Sequence, residues 1–228
     1  MDMKIAGFDP STKSTGKCIM EIDDTTFEIK SLKLYAFLSV KKRCYSDDLL
    51  EITHVGSKFD SYSILERQSI AYPVLDLDME DVKFASFEGY AYSKMRGKSN
   101  SRGMIQLGEF IGAMKHHFYE QGKGIVVYPA TTIKLFATGN GQADKIRMQR
   151  QFKNDYPQYY HDYLDAIEKH ENPSSDIVDA FWLCEALRLH IKMDVLGEDS
   201  MSESELGSLM ARTPKSTAIY ETPMLRKS

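Results

Sequence analysis

At 228 residues, 42% of them hydrophobic, and with a formal net charge of −4, the chain is typical of a globular protein with one core and carries no global charge signal for nucleic-acid binding. Its cysteines, Cys18, Cys44 and Cys184, are widely spaced and fit neither a zinc site nor a disulfide framework, so we expect reduced thiols. The sequence has no apolar run long enough to span a bilayer, so we expect a cytoplasmic protein with no membrane partner.

An antiparallel meander of three strands is predicted near the start of the chain, at 4–9, 16–22 and 27–37. The third strand alternates between apolar and polar residues, which is typical of a strand with one buried face. The first strand ends in Asp9, whose carboxylate is expected to face the turn that follows. Residues 41–56 have a mixed pattern and are predicted to be mainly loop.

A helix is predicted for 57–72, because aromatic and aliphatic residues recur there at helical spacing and Pro73 follows. The acidic stretch 76–81 is predicted to be a solvated loop. Residues 82–88 form the next predicted strand, which again ends in an acid, Glu88.

A basic loop is predicted for 94–103, and an amphipathic helix follows it. Gly108 and Gly112 lie on the flank of this helix, where small residues allow another helix to approach closely. Packing on the protein's own sheet and a dimer seam both explain the pattern, and the pattern alone favours packing. The helix is indicated by apolar residues at three- and four-residue spacing: Met104, Leu107, Ile111, Met114 and Phe118.

The following part of the chain is predicted to form a buried strand and then several helices. After residue 194 the composition becomes polar and acidic, so we expect one folded domain, 1–194, and a flexible tail, 195–228. The order of elements predicts an α/β fold in which a sheet of mixed direction is covered by helices. The strand is predicted at 125–129 and the helices at 131–137, at 143–152, within 156–170 and at 173–193.

Acidic residues stand where predicted elements begin or end. Asp9 and Glu88 end strands, whereas Asp176 and Asp179 lie in the first turn of a helix. Each has an ordinary explanation on its own: Asp9 can begin a turn, Glu88 can be exposed to solvent, and acids at a helix start interact favourably with the helix dipole.

Taken together, these acids predict a metal site. Asp176 and Asp179 are three residues apart and project from one face of the helix, while a sheet can bring Asp9 and Glu88 side by side. Converging carboxylates repel one another unless a cation compensates them, and oxygen ligands suit Mg²⁺ or Mn²⁺. Two such ions, about 3.5–4 Å apart, can promote phosphodiester hydrolysis. This is the chemistry that these residues suit best.

Several segments resemble motifs of the RuvC-type Holliday-junction resolvases. Residues 7–16 are similar to the first motif of that family, Phe87-Glu88 to its strand-end glutamate, and 176–180 to its helical Asp-x-x-Asp-Ala motif. The segment 133–145 is similar to the family's Lys…Gly-x-Gly…Lys segment, and Leu107-Gly108-Glu109 also corresponds. The resemblance covers 4–21, 84–121, 124–155 and 173–192.

This resemblance implies an RNase H-like fold, with a mixed sheet of three antiparallel strands followed by two parallel strands and flanked by helices. It implies a homodimer that makes paired nicks across four-way DNA junctions, with two Mg²⁺ ions in each active site and Mn²⁺ as a substitute. Asp9, Glu88, Asp176 and Asp179 would be metal ligands and catalytic residues, and Lys145 would act near the scissile phosphate. The extra unmatched segment indicates the bacteriophage-encoded branch of the family, which trims branched DNA in the host cytoplasm.

The chain departs from the family pattern at several points. Ser11 stands where the family usually has glycine, and 36–80 and the tail have no counterpart. The family places a junction-probing aromatic residue shortly after the glutamate, and Tyr90 and Tyr92 lie near that position at shifted spacing. Stacking of these tyrosines on unpaired bases and packing within a strand are equal alternatives.

Two basic clusters flank the acidic residues in sequence and are the predicted DNA-binding surface. A charge run is usually a solvated face, but these clusters lie beside the proposed active site. From the resemblance, Lys134 and Lys145 would contact phosphates. The first cluster consists of Lys94, Arg96, Lys98 and Arg102, and the second of Lys134, Lys145, Arg147, Arg150 and Lys153.

Other functions are compatible with parts of this pattern. A nuclease of the same fold could cut flaps, forks or RNA–DNA hybrids. An actin- or sugar-kinase-type ATPase has a similar first phosphate loop, but the sequence lacks its second phosphate loop and its Gly-rich adenosine motif. A junction-binding protein without activity would not need all the acids.

Overall fold

A mixed sheet of eight described strands lies at the centre of the computed structural model, in the order β4-β5-β3-β2-β1-β6-β7-β8. The structure describes residues 2–11, 14–38, 44–55, 66, 72, 75–89, 101–169, 173–203, 205 and 219–221, without the side chains of 101–104, 166–169 and 219–221. The strands are β1 (Asp2–Asp9), β2 (Ser14–Asp23), β3 (Ile29–Leu38), β4 (Tyr45–Ser46), β5 (Leu50–His54), β6 (Val82–Glu88), β7 (Gly124–Tyr128) and β8 (Ile219–Glu221). The α-helices are α1 (Ser101–Glu120), α2 (Ala130–Thr138), α3 (Lys145–Asp155) and α4 (Ser174–Leu196), and 3₁₀ helices cover Pro157–Tyr159, Asp162–Lys169 and Glu198–Ser200.

The strand pairing confirms the predicted RNase H-like sheet. β1, β2 and β3 form an antiparallel meander in which Asp9 is opposite Gly16. β6 pairs in parallel with β1, and β7 pairs in parallel with β6. Because β1 and β6 run in the same direction as neighbours, their carboxyl ends meet at one edge of the sheet.

The two faces of the sheet carry separate hydrophobic cores. One core lies between the sheet and α2, α3 and α4. The other contains apolar side chains of α1, of residues 75–82 and of the opposite sheet face. Since successive residues of a strand point to opposite faces, Phe8 joins the second core while Asp9 faces α4.

Glycines in β1 and β2 allow α4 to lie unusually close to the sheet. A Cβ atom on Gly16 would come within 2.0 Å of the backbone oxygen of Asp176, and one on Gly7 within 2.3 Å of that of Ala180. At Gly7 and Gly16, any side chain larger than the hydrogen atom of glycine would therefore push the helix away from the strands. This contact sets the position of the first turns of α4 relative to Asp9.

The structure differs from the predicted elements in several places. Residues 41–56 contain β4 and β5 instead of loop alone, and β5 extends the sheet by pairing in parallel with β3. In β5, Leu50 and Ile52 are buried and their neighbours Glu51 and Thr53 are partly exposed. The helix predicted for 57–72 falls largely outside the described residues.

The boundaries of the helices also differ from those predicted. α1 begins at Ser101, so Arg102 lies in its first turn rather than in a loop, and α4 continues to Leu196. Within the predicted tail, Ile219–Glu221 pairs with the outer side of β7 as β8. The division into 1–194 and 195–228 stays a prediction. In the described part of the chain, the helices are too short or too polar to cross a membrane.

Candidate active site

The predicted acids come from three elements that meet at one edge of the sheet. Asp9 ends β1 and Glu88 ends β6, and both lie at the shared carboxyl edge of these parallel neighbours. Asp176 and Asp179 lie near the start of α4, which packs across β1 and β2. The strand order and the position of the helix thus bring the acids into one site.

The carboxyl group of Asp9 lies within the electrostatic influence of the other acids. Burial raises the pKa of Asp9 well above its ordinary value, and the charges of Asp179, Asp176 and Glu88 raise it further. Lys145 opposes this rise. Such mutual effects require short separations in surroundings that screen charge poorly.

Asp179 has a similar environment. Burial, followed by the charge of Glu88, raises the pKa of Asp179 to about 7, with Asp176 adding to the rise and Lys145 and Lys134 opposing it. At neutral pH this carboxyl group therefore exchanges between charged and neutral forms. A further cation in the site would favour its charged form.

One oxygen of the Asp176 carboxyl group accepts a hydrogen bond and, among the described residues, the other does not. The hydroxyl of Ser175 donates to Asp176 Oδ1 at 3.2 Å, whereas Asp176 Oδ2 is buried and makes no hydrogen bond in the described structure. The buried hydroxyl of Ser14 lies close enough to this carboxyl group to affect its pKa. Burial raises the pKa of Asp176, while the hydroxyls of Ser14 and Ser175 and the charge of Lys145 oppose the rise.

These residues fit a divalent cation by their chemistry. The carboxylates repel one another, their oxygens are the ligands that Mg²⁺ and Mn²⁺ prefer, and a buried oxygen of Asp176 has no other partner. Among the described residues, no three acidic, histidine or cysteine side chains already form a metal-binding cluster. The side chains would therefore have to draw together around an ion.

Lysines of the second basic cluster border the site. The ammonium group of Lys145 donates to the hydroxyl of Ser175 at 2.8 Å, and Lys134 lies close enough to lower the pKa of Asp179. Phosphate oxygens approaching the acids would thus meet positive charge on the side of α2 and α3.

A separate groove lies at the start of α3. It has a cavity volume of about 370 Å³. Within it, the guanidinium of Arg147 donates to the carbonyl oxygen of Thr138 at 3.2 Å, which holds the side chain over the loop before α3. The groove is lined by Asn140, Gln142, Ala143, Asp144, Ile146, Arg147 and Arg150.

The first basic cluster is not placed by the structure. Tyr90, Tyr92, Lys94, Arg96 and Lys98 lie outside the described residues. Arg102 has a described backbone, in the first turn of α1, and no described side chain. Their predicted contacts with DNA stay predictions.

Ser14 and Ser175 were not among the predicted site residues. A serine near the start of a helix usually caps the backbone N–H groups of the first turn. By itself, a serine at position 175 therefore gave no reason to predict a role in the site. α4 has Pro173 at its N-cap position with no side-chain cap, and the Ser175 hydroxyl contacts Asp176 and Lys145 instead. The position of Ser175 immediately before Asp176 was the available signal.

Solved structures with a similar fold belong to junction resolvases. Thermus thermophilus RuvC in complex with a Holliday junction substrate matches with 14% identity and a TM-score of 0.54, covering 86% of this chain and 97% of that one. The chain has the fold of the RuvC-type resolvases. The structure of T. thermophilus RuvC alone matches this RuvC-type fold with 15% identity and a TM-score of 0.51, over 86% of this chain and 97% of that one.

The yeast mitochondrial Holliday junction resolvase Ydc2 has the same RuvC-type fold. It matches with 10% identity and a TM-score of 0.52, covering 87% of this chain and 83% of that one. Comparison with family models and with curated protein sequences finds no match. The likeness is therefore one of fold, and the sequence motifs quoted above lie within it.

Proposed function

We propose that the chain is a divalent-metal-dependent endonuclease that resolves four-way DNA junctions. The observation that carries the proposal is the convergence of Asp9, Glu88, Asp176 and Asp179, whose charges act on one another at the carboxyl edge of a RuvC-type sheet. Binding alone would not require several carboxylates that destabilise one another, whereas metal-assisted hydrolysis would.

The acids would hold two Mg²⁺ ions, or Mn²⁺ in their place. When bound, the ions would supply an activated water and compensate the charge that develops on the phosphate. Lys145 and Lys134 would donate hydrogen bonds to phosphate oxygens, and their electrostatic effect on Asp179 from the side of α2 and α3 supports this role.

DNA would be held mainly through its phosphates. Arg147 and Arg150 line the groove at the start of α3, the helix that carries Lys145, and would contact further phosphates of the bound DNA. Lys94, Arg96, Lys98 and Arg102 would contribute further phosphate contacts, and Tyr90 or Tyr92 would stack on bases unpaired at the crossover. Such contacts recognise shape and branching rather than sequence.

Paired nicks require two active sites, and we infer a homodimer formed through α1. Ile105, Gly112 and Tyr119 are seven residues apart along α1 and share one face, on which Ile105 is 60% and Tyr119 46% exposed. A Cβ atom on Gly112 would have no neighbour within 4 Å among the described residues, which leaves room there for a second helix. Gly112→Gln should leave the protomer folded and shift sedimentation towards the monomer; an unchanged sedimentation coefficient would place the dimer seam elsewhere.

The same site could also act on forks, flaps or RNA–DNA hybrids. The phage origin and the host cytoplasm as the place of action likewise stay inferences from the sequence resemblance. One cleavage experiment separates the substrates: a labelled four-way junction, a fork, a linear duplex and a hybrid are incubated with protein in Mg²⁺ or in EDTA. We expect symmetric nicks in the junction in Mg²⁺, little cutting of the linear duplex, and none in EDTA.

Asp9→Asn is the decisive variant in that experiment. It should keep junction binding, which rests on the basic residues, and lose cleavage, because the site would lack the charge of its central acid. Cleavage by Asp9→Asn at the rate of the unmodified protein would contradict the proposed function.

A further inference from the structure

A chain of hydrogen bonds joins a lysine to an acid of the proposed site through a serine. Lys145 Nζ donates to Ser175 Oγ at 2.8 Å, and Ser175 Oγ donates to Asp176 Oδ1 at 3.2 Å. Ser175 is 4% exposed and Asp176 is 6% exposed, so water competes little for these bonds. The hydroxyl is thus an acceptor for the cation and a donor to the anion at the same time.

The adjacent serine shows that this contact is specific to one position. Ser174 is also buried at the start of α4, but its hydroxyl donates to the carbonyl oxygen of Tyr163 at 3.3 Å and, among the described residues, makes no hydrogen bond to an acid of the site. Both serines precede Asp176 and share the same helical turn. Ser175 therefore differs from Ser174 in what it touches and not in its burial or secondary structure.

The serine also keeps two opposite charges apart. Lys145 and Asp176 interact electrostatically, yet in the described structure they form no direct ion pair, because the Ser175 hydroxyl lies between them. A direct pair would neutralise both groups and turn the carboxylate towards α3. With Ser175 bound to Oδ1, the other oxygen, Oδ2, makes no hydrogen bond in the described structure, although the Ser14 hydroxyl lies near the carboxyl group.

From this geometry we infer that Ser175 is a positioning residue: it holds Asp176 with one oxygen presented to a divalent cation and holds Lys145 at the edge of the same site. The inference rests on the proposed function. Without the hydroxyl, Asp176 and Lys145 are expected to pair directly, which withdraws a ligand from the ion and a donor from the phosphate. Groups that orient metal ligands commonly change metal affinity by about 10-fold to 100-fold when removed.

The test compares Ser175→Ala with Ser174→Ala and with Ser175→Thr. Mn²⁺ binding is measured by calorimetry on the protein without DNA, and kcat and KM are measured on a four-way junction at saturating Mg²⁺. Ser175→Ala should weaken Mn²⁺ binding by about 10-fold or more and lower kcat with little change in KM for the junction. Ser174→Ala should bind Mn²⁺ as the unmodified protein does, and Ser175→Thr, which retains the hydroxyl, should recover most of the loss.

A double-mutant cycle with Lys145→Met tests whether Ser175 acts on Asp176 through its hydrogen bond with Lys145. If Ser175 acts by separating Lys145 from Asp176, the effect of Ser175→Ala on Mn²⁺ binding should largely disappear in the Lys145→Met background. Additive effects, or equal Mn²⁺ affinity in Ser175→Ala and Ser174→Ala, would overturn the inference. Should the protein bind Mn²⁺ and cut no branched DNA, the proposed function fails, while the Mn²⁺ comparison still decides the role of Ser175.

Discussion

The carboxyl group of Asp9 is placed where its charged form is least favourable. Burial removes water from it, and Asp179, Asp176 and Glu88 add repulsion that the surroundings screen weakly. Lys145 offsets part of this effect. The folded chain therefore stores unfavourable electrostatic energy at the site, which a bound cation would relieve.

Asp9→Asn should consequently stabilise the protein when metal is absent. A pKa raised in the folded state means that the folded protein binds the proton more tightly than the unfolded chain, so stability is lost as pH rises through the folded pKa. At pH 7 in EDTA, urea unfolding should show a gain of about 1.4 kcal/mol for each unit by which the pKa of Asp9 is raised. Asp48→Asn, an exposed control, should change nothing, and a destabilised Asp9→Asn would argue against the repulsion.

Lys17 is the second buried charge with a consequence for stability. It lies on β2, is 0% exposed, and donates to the carbonyl oxygens of Leu75 at 3.3 Å and Leu77 at 2.5 Å. Burial lowers the pKa of Lys17 to about 7, against an opposing effect led by Asp78. The folded protein thus binds this proton more weakly than the unfolded chain does.

The titration of Lys17 should make the stability of the protein depend on pH. Between pH 7 and 9.5 the unfolded chain keeps the proton of Lys17 and the folded protein releases it, so the free energy of unfolding should rise with pH in this window, by at most about 1.4 kcal/mol per pH unit. Lys17→Met should remove most of this slope. Urea unfolding at several pH values measures it, and equal slopes in both proteins would show that Lys17 titrates normally.

At the scale of elements, the site depends on how closely α4 approaches β2. Gly16 lies opposite Asp9 across the β1–β2 pair, and its missing side chain leaves room for the backbone of Asp176. The same contact that packs the helix thereby places two acids of the site. The contact between Gly16 and the Asp176 backbone therefore determines both the packing of α4 and the geometry of the site.

Gly16→Ala should therefore weaken the packing of α4 on the sheet and displace the acids of the site. The new Cβ atom would meet backbone atoms, which cannot rotate away, so we expect a loss of about 1–3 kcal/mol in unfolding free energy and a large loss of junction cleavage. Gly89→Ala is the comparison, because its Cβ would meet the Val127 side chain at 3.2 Å, a neighbour that can adjust. Equal losses in the two variants would show that the approach of α4 is not the critical contact.

The elements that could be predicted from the sequence are those whose own residues show a periodic hydrophobic pattern. The meander, β6, β7 and the helices follow from local periodicity, and Asp9 and Glu88 follow from the ends of strands. β5 and β8 could not be predicted in this way, because three to five residues become strands through distant partners, Leu34 with Leu50 and Val127 with Ile219. The role of Ser175 likewise depends on α3 and α4 meeting in space.

At the scale of the whole molecule, the proposed chemistry lies at one edge of the sheet, and the basic groove lies at the start of α3, the helix that carries Lys145. Arg147 and Arg150 line that groove on α3, whereas Lys83 lies at the beginning of β6, towards the opposite edge. A DNA strand bound at the acids would pass the two arginines and not Lys83.

The salt dependence of junction binding tests this path. Arg147→Ala combined with Arg150→Ala should weaken binding to all junction sequences alike and reduce the slope of log K against log salt by about 0.9 for each phosphate that the variant no longer neutralises. Lys83→Ala should leave the slope unchanged. The measurement is a salt titration by fluorescence anisotropy in EDTA, and an unchanged slope in the arginine variant would place the DNA elsewhere.

The pairing of Ile219–Glu221 with β7 matters for anyone shortening the chain. These residues cover the backbone groups of Ile125, Val126 and Val127 on the outer side of the strand. A version that stops before residue 219 would present those groups as an uncovered strand edge, and such edges pair readily with other chains. Trimming the polar end of this protein to improve its behaviour in solution would thus create a self-associating molecule.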